Sequence, residues 1–576
     1  MECHSFDRKS QIPLSAQSVF QRMNIDPSEF NVQQVLGNTK VVRQVLQDFC
    51  PLAKSLEWEL ASLSWNDLGT LPFAKNEVPF FITNSGLLSE HAAVVLFESC
   101  KKAPPAGQFH VLELGAGAGL FAQLFLEHFK ALCQREEADY YDQLIYIVSD
   151  GSERTIEQWR ERAIFENHAE HVKTMRCNAR VVEEFAQFDE IPLRAVMGNY
   201  VLDVLPSTII RQGDSEIEEL NVRTHLVGDS SIVSQHTDLR YQQISDYARS
   251  QDLDQRRKLL PLVSLLELET SYKPIDPVLY DFAQEALRRQ KELAAVVINY
   301  GAMACLGACI NLLEDDGFIL VNDYGLVDTA KVENNITTKR FGPTMSLGVN
   351  FPLLEAYMIA KGLRCIAPDN DLDAPIHSRL IARDGGQIAH DVFNSRFGRD
   401  GYSYFQQPIL EAREHARAGR KSEALEAYKV AISRNQADWY CLGEAAEYIG
   451  LHLANQSAAT ALVQEAVRLN PWYSPWLWNV LGECLFAQDR FADAHEAYLQ
   501  AQRIDPKDIR TNLNLSFTYA RFLRFDKALE AIACGLSYDK NGVLREKLLE
   551  KQYQILNQLS LRDLGERERL SARSIS

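Results

Sequence analysis

A strand-like run, Val111-Leu112-Glu113-Leu114, leads into Gly115-Ala116-Gly117-Ala118-Gly119 and then into an amphipathic stretch, LFAQLFLEHF. Glycine accepts left-handed backbone and carries no Cβ, so this spacing lets a tight strand-to-helix turn bring N–H groups against a ligand. A nucleotide-like ligand is implied. The dinucleotide motif has its third glycine five residues after the first, whereas here the glycines fall at +2 and +4, preceded by Glu113. At the end of the next strand, YIVSD, the Asp150 carboxylate offers two acceptors for a pair of ribose hydroxyls, with Ser149 and Glu153 as alternative contacts. Asn178, at the end of a third strand, is a candidate on the base side. His168 and His171 form a His-x-x-His, but no carboxylate or cysteine cluster accompanies them, so no metal site is expected.

These residues need a sheet to hold them. From about 109 to 385, β-rich runs (FHVLELG, LIYIVSD, HVKTMRC, RAVMGNYV, GFILVNDYG, SRLIARD) alternate with amphipathic segments, the pattern of a doubly wound, largely parallel α/β sheet. An insertion over about 207–293 opens with STIIRQGDSEIEEL, which suits a strand pair, and continues as charged helical sequence; it either covers a cleft or decorates the surface. Residues 1–75 carry helical spacing (VVRQVLQDF, LEWELASL) and are expected to form a helical cap, before a main domain over 76–395. Ala294 to Leu313 runs 20 residues without a charge, long enough to span a bilayer. The Asn299-Tyr300-Gly301 break instead divides it into a buried strand and a helix.

Over 408–560 a period of 34 to 35 residues replaces the strands. Trp478, Leu481, Gly482, Leu485, Ala494, Tyr498, Ala501 and Pro506 follow the tetratricopeptide pattern of paired helices. Ala424, Ala459, Ala494 and Ala528 recur at the small position, with Tyr428, Val463, Tyr498 and Ile532 four residues later, which predicts three to four hairpins in an all-α solenoid. Such a stack presents a concave groove for a protein or peptide, or else serves as a dimerisation surface or spacer.

The net charge of −18 repels phosphate backbones and anionic lipid, so neither nucleic acid nor membrane is an expected partner. Eleven cysteines without Cys-x-x-Cys suit a reduced compartment, and the N-terminal stretch has neither a secretory apolar core nor an Arg-rich presequence, so a cytoplasmic location is expected.

The Glu-x-Gly-x-Gly-x-Gly turn resembles motif I of class I methyltransferases, which faces the methionine part of S-adenosyl-L-methionine. Four further segments resemble the MidA-type methyltransferases, a group that includes the mitochondrial complex I assembly arginine methyltransferase. Phe80-Phe81-Ile82-Thr83-Asn84-Ser85 is similar to its FxTSPE-like segment, and Asp150-Gly151-Ser152 to its Glu-Pro-Ser. Met197 to Pro206 is similar to its Asn-Glu-x-x-Asp-Ala-Leu-Pro loop, and Asp323-Tyr324-Gly325 to its Asp-Tyr-Gly. The matches keep the family's order over about residues 75 to 385.

The resemblance implies a Rossmann-like class I methyltransferase domain that binds S-adenosyl-L-methionine through Glu113, Gly115, Gly117, Gly119, Asp150, Asn178 and Thr83. Asp203 is the candidate catalytic carboxylate, able to orient a guanidinium, with Asn199 as a hydrogen-bonding positioner. Tyr200 stands where the family has glutamate; it can stack on a guanidinium or simply pack. The expected function is methylation of a protein, with arginine as the suggested target, recruited by the repeats. A small-molecule methyltransferase and a catalytically inert cofactor-binding scaffold are the alternatives. The oligomeric state is not encoded in any feature of the sequence.

Overall fold

The computed structural model describes residues 42–74, 77–78, 86–329, 338–342, 344–373, 376–383, 390–398, 402–472 and 474–573. Seven strands form the central sheet: β1 (Phe109–Leu114), β2 (Leu144–Asp150), β3 (Val172–Arg176), β4 (Leu193–Asn199), β5 (Leu313–Asp323), β6 (Leu363–Ile366) and β7 (His377–Arg383). Their spatial order is β6-β7-β5-β4-β1-β2-β3. Strands β1 to β5 are parallel, and β7 runs antiparallel to both β5 and β6.

Because both faces are covered, the strands are apolar on both sides. Leu112, Leu114, Val196 and Ile319 pack on one face, and Val111, Tyr146, Ala195 and Leu320 on the other. Four helices matter to the site: α1 (Leu56–Leu68), α2 (Leu120–Arg135), α3 (Glu153–Glu161) and α4 (Tyr300–Leu312). Helix α2 buries Phe121, Phe125 and Phe129 on the second face, and α4 buries Ala302, Leu306 and Cys309 on the first. The chain winds outward from β1 through β2 to β3 and then returns to β4. The crevice between β1 and β4, at the carboxyl ends of the strands, is where such a sheet holds a ligand.

The helix expected over VVRQVLQDF is instead a strand, Arg43–Pro51, paired antiparallel with Ile217–Val227 of the insertion. Its partner lies far along the chain, and pairing with it outweighs the local helical spacing. The second part of the expected cap, LEWELASL, does form α1, with the Ser55 hydroxyl accepting from Trp58 N–H at 3.2 Å. The insertion contributes Thr208–Gln212 and Ile217–Val227 as the anticipated strand pair, with Leu266–Pro274 on the far side of the latter. Val296–Ile298 is a strand, followed directly by α4, but it joins this second, antiparallel sheet through Thr208 to Ile210. Among the described residues no helix is long and apolar enough to cross a membrane.

The C-terminal part is helical throughout: α5 (Tyr402–Arg417), α6 (Lys421–Arg434), α7 (Trp439–His452), α8 (Gln456–Leu469), α9 (Pro475–Ala487), α10 (Phe491–Ile504), α11 (Ile509–Arg521), α12 (Phe525–Tyr538) and α13 (Arg545–Arg573). They make four hairpins and a terminal helix. Ala424, Ala459, Ala494 and Ala528 are each completely buried between packed helices. At Gly482 the helices leave no room for a side chain, since a Cβ there would lie 2.3 Å from the Tyr498 ring. The stack also docks on the sheet domain: Leu120 and Leu124 of α2 pack into one cluster with Trp439, Leu442 and Leu477.

Candidate functional site

The glycine turn is built as its spacing predicts. Gly115, Gly117 and Gly119 have φ of +59°, +54° and +77°, the left-handed region that side chains rarely adopt. Gly119 caps α2. Space is as restrictive as backbone angle: a Cβ on Gly115 would lie 2.8 Å from Val201 Cγ2, so the loop after β4 sits directly against the turn. The turn is braced from below, where Ala116 N–H donates to Ser149 O (2.9 Å) and Trp159 Nε1 of α3 donates to Gly117 O (2.8 Å).

Asp150 joins this turn to the next loop. Its Oδ2 accepts from Gly117 N–H (3.0 Å) and its Oδ1 from Ser152 N–H (2.9 Å), with Gly151 N–H also directed at the carboxylate. Burial pushes its pKa up to about 6. Ser152 caps α3 and its hydroxyl donates to Trp65 O (2.9 Å), which fixes α1 over the site. Asn178 packs beside Gly151, and its Oδ1 accepts from Arg180 N–H (3.1 Å).

Glu113 lies behind the turn. It is 1% exposed, accepts from the Tyr146 hydroxyl (3.1 Å) and sits beside the Asn199 amide. Burial raises its pKa to about 8. Asn199 Oδ1 accepts from Asn322 Nδ2 (2.8 Å), and Asn322 Oδ1 from the Ser378 hydroxyl (2.6 Å), so a polar chain runs beneath the crevice.

After β4 the backbone turns sharply at Tyr200, a non-glycine residue with φ of +55°, whose N–H donates to Asn322 O (3.0 Å). Its ring stacks on Tyr324 with centroids 5.1 Å apart, and Tyr324 stacks on Phe341 at 6.2 Å. Asp203 is 4% exposed, with its carboxyl in reach of the Ser346 hydroxyl and of the Asp323 carboxyl; burial raises both acids above the usual carboxylate range.

These elements enclose a cavity of ≈ 230 Å³. Gly115, Gly117, Asp150, Asn178, Asn199, Tyr200 and Asp203 line it together. Residues 92–345 match the family described as "Putative S-adenosyl-L-methionine-dependent methyltransferase". Residues 475–508 match the tetratricopeptide repeat. No curated protein matches the chain.

Among solved structures, the chain is similar to an uncharacterized superfamily protein from Burkholderia thailandensis at 15% identity and a TM-score of 0.36, covering 55% of this chain and 73% of that one. A member of the same superfamily from the same organism, bound to S-adenosyl-homocysteine, matches at 14% identity and a TM-score of 0.34, covering 52% of this chain and 77% of that one. A MamA protein matches at 19% identity and a TM-score of 0.25, covering 29% of this chain and 87% of that one.

The chain is thus an S-adenosyl-L-methionine-dependent methyltransferase carrying tetratricopeptide repeats. Its cavity fits the cofactor on physical grounds. The left-handed Gly115 and Gly117 bring bare backbone to the cavity at positions where a Cβ would clash with Val201 or Phe73, and the Asp150 carboxylate stands beside them in the lining.

Of the anticipated cofactor residues within the described part of the chain, Gly119 and Glu113 do not line the cavity. Gly119 shapes the turn from its far end, where a Cβ would meet Phe165 at 2.8 Å; Glu113 supports the floor; and Thr83, with the rest of the Phe80–Ser85 segment, lies outside the described residues. Of the alternatives to Asp150, Ser149 is buried with its hydroxyl donating to Glu113 O (2.7 Å), and Glu153 opens α3 outside the lining. His168 is taken up by the Tyr141 hydroxyl at 2.6 Å.

The aromatic lining was not anticipated. Trp65 comes from α1, Phe73 from the short helix Leu71–Ala74 that follows it, and Tyr324 and Phe341 from beyond β5. The insertion contributes nothing to the lining; it acts one layer away, packing Leu226, Ile244 and Leu262 on Leu56, Leu60 and Leu63 of α1. An ion pair between Arg340 and Glu57 ties the hairpin that carries Phe341 to the same helix.

Proposed function

We propose that the chain is a protein methyltransferase of the MidA type, in a Rossmann-like class I fold, that methylates arginine on a partner recruited by its repeats. The observation that carries the reading is the presence, in the lining of one cavity, of a stacked aromatic series (Tyr200, Tyr324, Phe341) and a carboxylate (Asp203). A planar cation suits both: the guanidinium stacks on an aromatic ring and donates to the carboxylate. Tyr200 thereby takes up part of the role of the glutamate found in the family.

When bound, S-adenosyl-L-methionine supplies an activated methyl group on a good leaving group, so the protein's task is mainly alignment. Gly115, Gly117 and Asp150 would hold the cofactor, with Asn178 on its base side and Asn199 donating from the floor. Trp65 and Phe73 keep water from the cradle. Asp203 would fix the acceptor against the aromatic wall.

The domains are taken as a mixed strand-and-helix cap, a methyltransferase domain to about residue 395, and repeats over 408–560. The repeats carry half-buried ion pairs on the first helices of successive hairpins, Arg413 with Glu444 and Arg510 with Glu447 and Glu483, which suit docking of a charged peptide segment. The ten described cysteines are all free thiols, which supports a reducing, cytoplasmic setting.

The competing reading is an inert cofactor-binding scaffold, favoured by Tyr200 in place of the family glutamate; a small-molecule acceptor is the third. Labelled methyl transfer to protein substrates, compared between wild type and Asp203→Ala, separates them. Transfer abolished in the variant at unchanged cofactor affinity supports the enzyme. No transfer to any protein from an enzyme that binds the cofactor rules out the protein methyltransferase.

A further inference from the structure

A groove of ≈ 570 Å³ lies in the repeat array alone, between α9, α11 and α13. Leu548 and Ile555 of α13 are completely buried and pack in one cluster with Leu513 of α11 and Phe525 of α12. Lys551 and Gln558 repeat the same seven-residue spacing three positions further on, so they stand on the flank of that packed face and line the groove.

The floor is aromatic. Phe486 of α9 meets Phe491 of α10 with ring centroids 5.0 Å apart and Phe517 of α11 at 6.3 Å. A cation rests at each end of this row: Arg521 Cζ lies 4.5 Å from the Phe491 ring centre, and Lys551 Nζ lies 4.3 Å from that of Phe517. Among the described residues neither cation is paired with a carboxylate, and no acid lines the groove. Arg510, on the same helix as Arg521, is by contrast already held by Glu447 and Glu483. Asp493 is paired with Arg490 at 2.7 Å, and Glu550 accepts from Gln554 at 3.3 Å. The rim is open apolar surface, with Leu523 65% and Leu561 69% exposed.

Two cations without acidic partners, in a chain of net charge −18, attract locally what the summed field of the protein repels. Covering the phenyl rings and leucines removes apolar surface from water, and a carboxylate arriving with them gains charge-assisted hydrogen bonds at Arg521 and Lys551. Two cations are too few to hold a phosphate backbone or an anionic bilayer against the net charge, since such binding grows with the number of charges neutralised. We propose that this groove docks a short peptide segment of a partner protein, rich in acidic and large apolar residues, with its apolar side chains on Phe486 and Phe517 and its carboxylates on Arg521 and Lys551. The inference rests on the recruiting role given to the repeats above and names the chemistry of what they recruit; it does not depend on methyl transfer.

Selection of a random-peptide phage library on the immobilised full chain tests this, followed by fluorescence polarisation with the strongest selected peptide. Selected sequences should combine Asp or Glu with Leu or Phe. Arg521→Gln together with Lys551→Gln weakens the selected peptide about five- to tenfold, the loss of two exposed ionic contacts. Raising salt to about 0.5 M brings wild type toward the double variant. Lys429→Gln, exposed on α6, leaves affinity unchanged, and circular dichroism stays that of wild type in every variant. Phe517→Ala also weakens binding; should it not fold, Leu523→Asn reads the same apolar contribution, at a left-handed position that asparagine accepts. Selected sequences that are basic, or acidic ones whose affinity the double variant leaves unchanged, overturn the groove while recruitment by the repeats stands. Failure to select any sequence overturns both. A dimer in sedimentation that Leu523→Asn splits assigns the groove to a second copy, and phosphatidylserine vesicles bound by wild type but not by the double variant assign it to lipid; either overturns the proposal.

Discussion

The ring of Phe73 fills the space that Gly117 leaves: a Cβ on Gly117 would lie 2.5 Å from Phe73 Cζ. The cradle therefore has an aromatic back wall set at van der Waals distance, on a residue that also packs against the repeat cluster. Gly117→Val forces both a left-handed φ and a clash, a strain of order 2–4 kcal/mol. Binding of S-adenosyl-homocysteine should fall at least about tenfold, the effect of some 1.4 kcal/mol, while circular dichroism retains the wild-type helix content. Unchanged binding would show that the turn does not hold the cofactor.

Glu113 carries a pH signature. Its pKa is about 8 in the folded protein against 4.5 for the free side chain. Between those values the folded state holds a proton that the unfolded state has lost, so stability falls as pH rises through the window and levels off above about pH 8. Asp150, raised to about 6, acts in the same direction over a lower window. Glu113→Gln should lose less stability than wild type between pH 6 and pH 8 in denaturant titrations, by up to a few kcal/mol. Equal losses would mean that Glu113 is ionised in the folded state.

Trp439 is completely buried where the repeats meet Leu120 and Leu124 of the helix after the glycine turn. Removing its ring should cost about 3–5 kcal/mol at that contact. Trp439→Ala is expected to lower the first thermal transition and to expose the junction to limited proteolysis, with cofactor affinity reduced because α2 loses its support. A variant with the wild-type melting profile would show that the two parts do not depend on each other.

What the sequence revealed was local. The glycine turn, the strand ending in Asp150 and the alanine period from Ala424 to Ala528 are each encoded within a few residues or a fixed repeat, and each forms as anticipated. What escaped was set by partners far along the chain. Arg43–Pro51 has a spacing compatible with either element and becomes a strand because Ile217–Val227 lies beside it. Trp65 lines the cavity because Ser152, 87 residues on, bonds its carbonyl. Glu113 follows the cofactor motif in sequence, yet Tyr146 and Asn199 draw it beneath the sheet. The contact between Asp203 and Asp323 has no sequence signal beyond the fact that both are acids at strand ends.

The most direct test of the central claim is calorimetric titration of the purified chain with S-adenosyl-L-methionine and S-adenosyl-homocysteine. Saturable one-to-one binding of both in the micromolar range, lost in Gly117→Val, is the predicted result. A folded wild-type protein that binds neither would contradict the account and leave the repeats as the working part of the molecule.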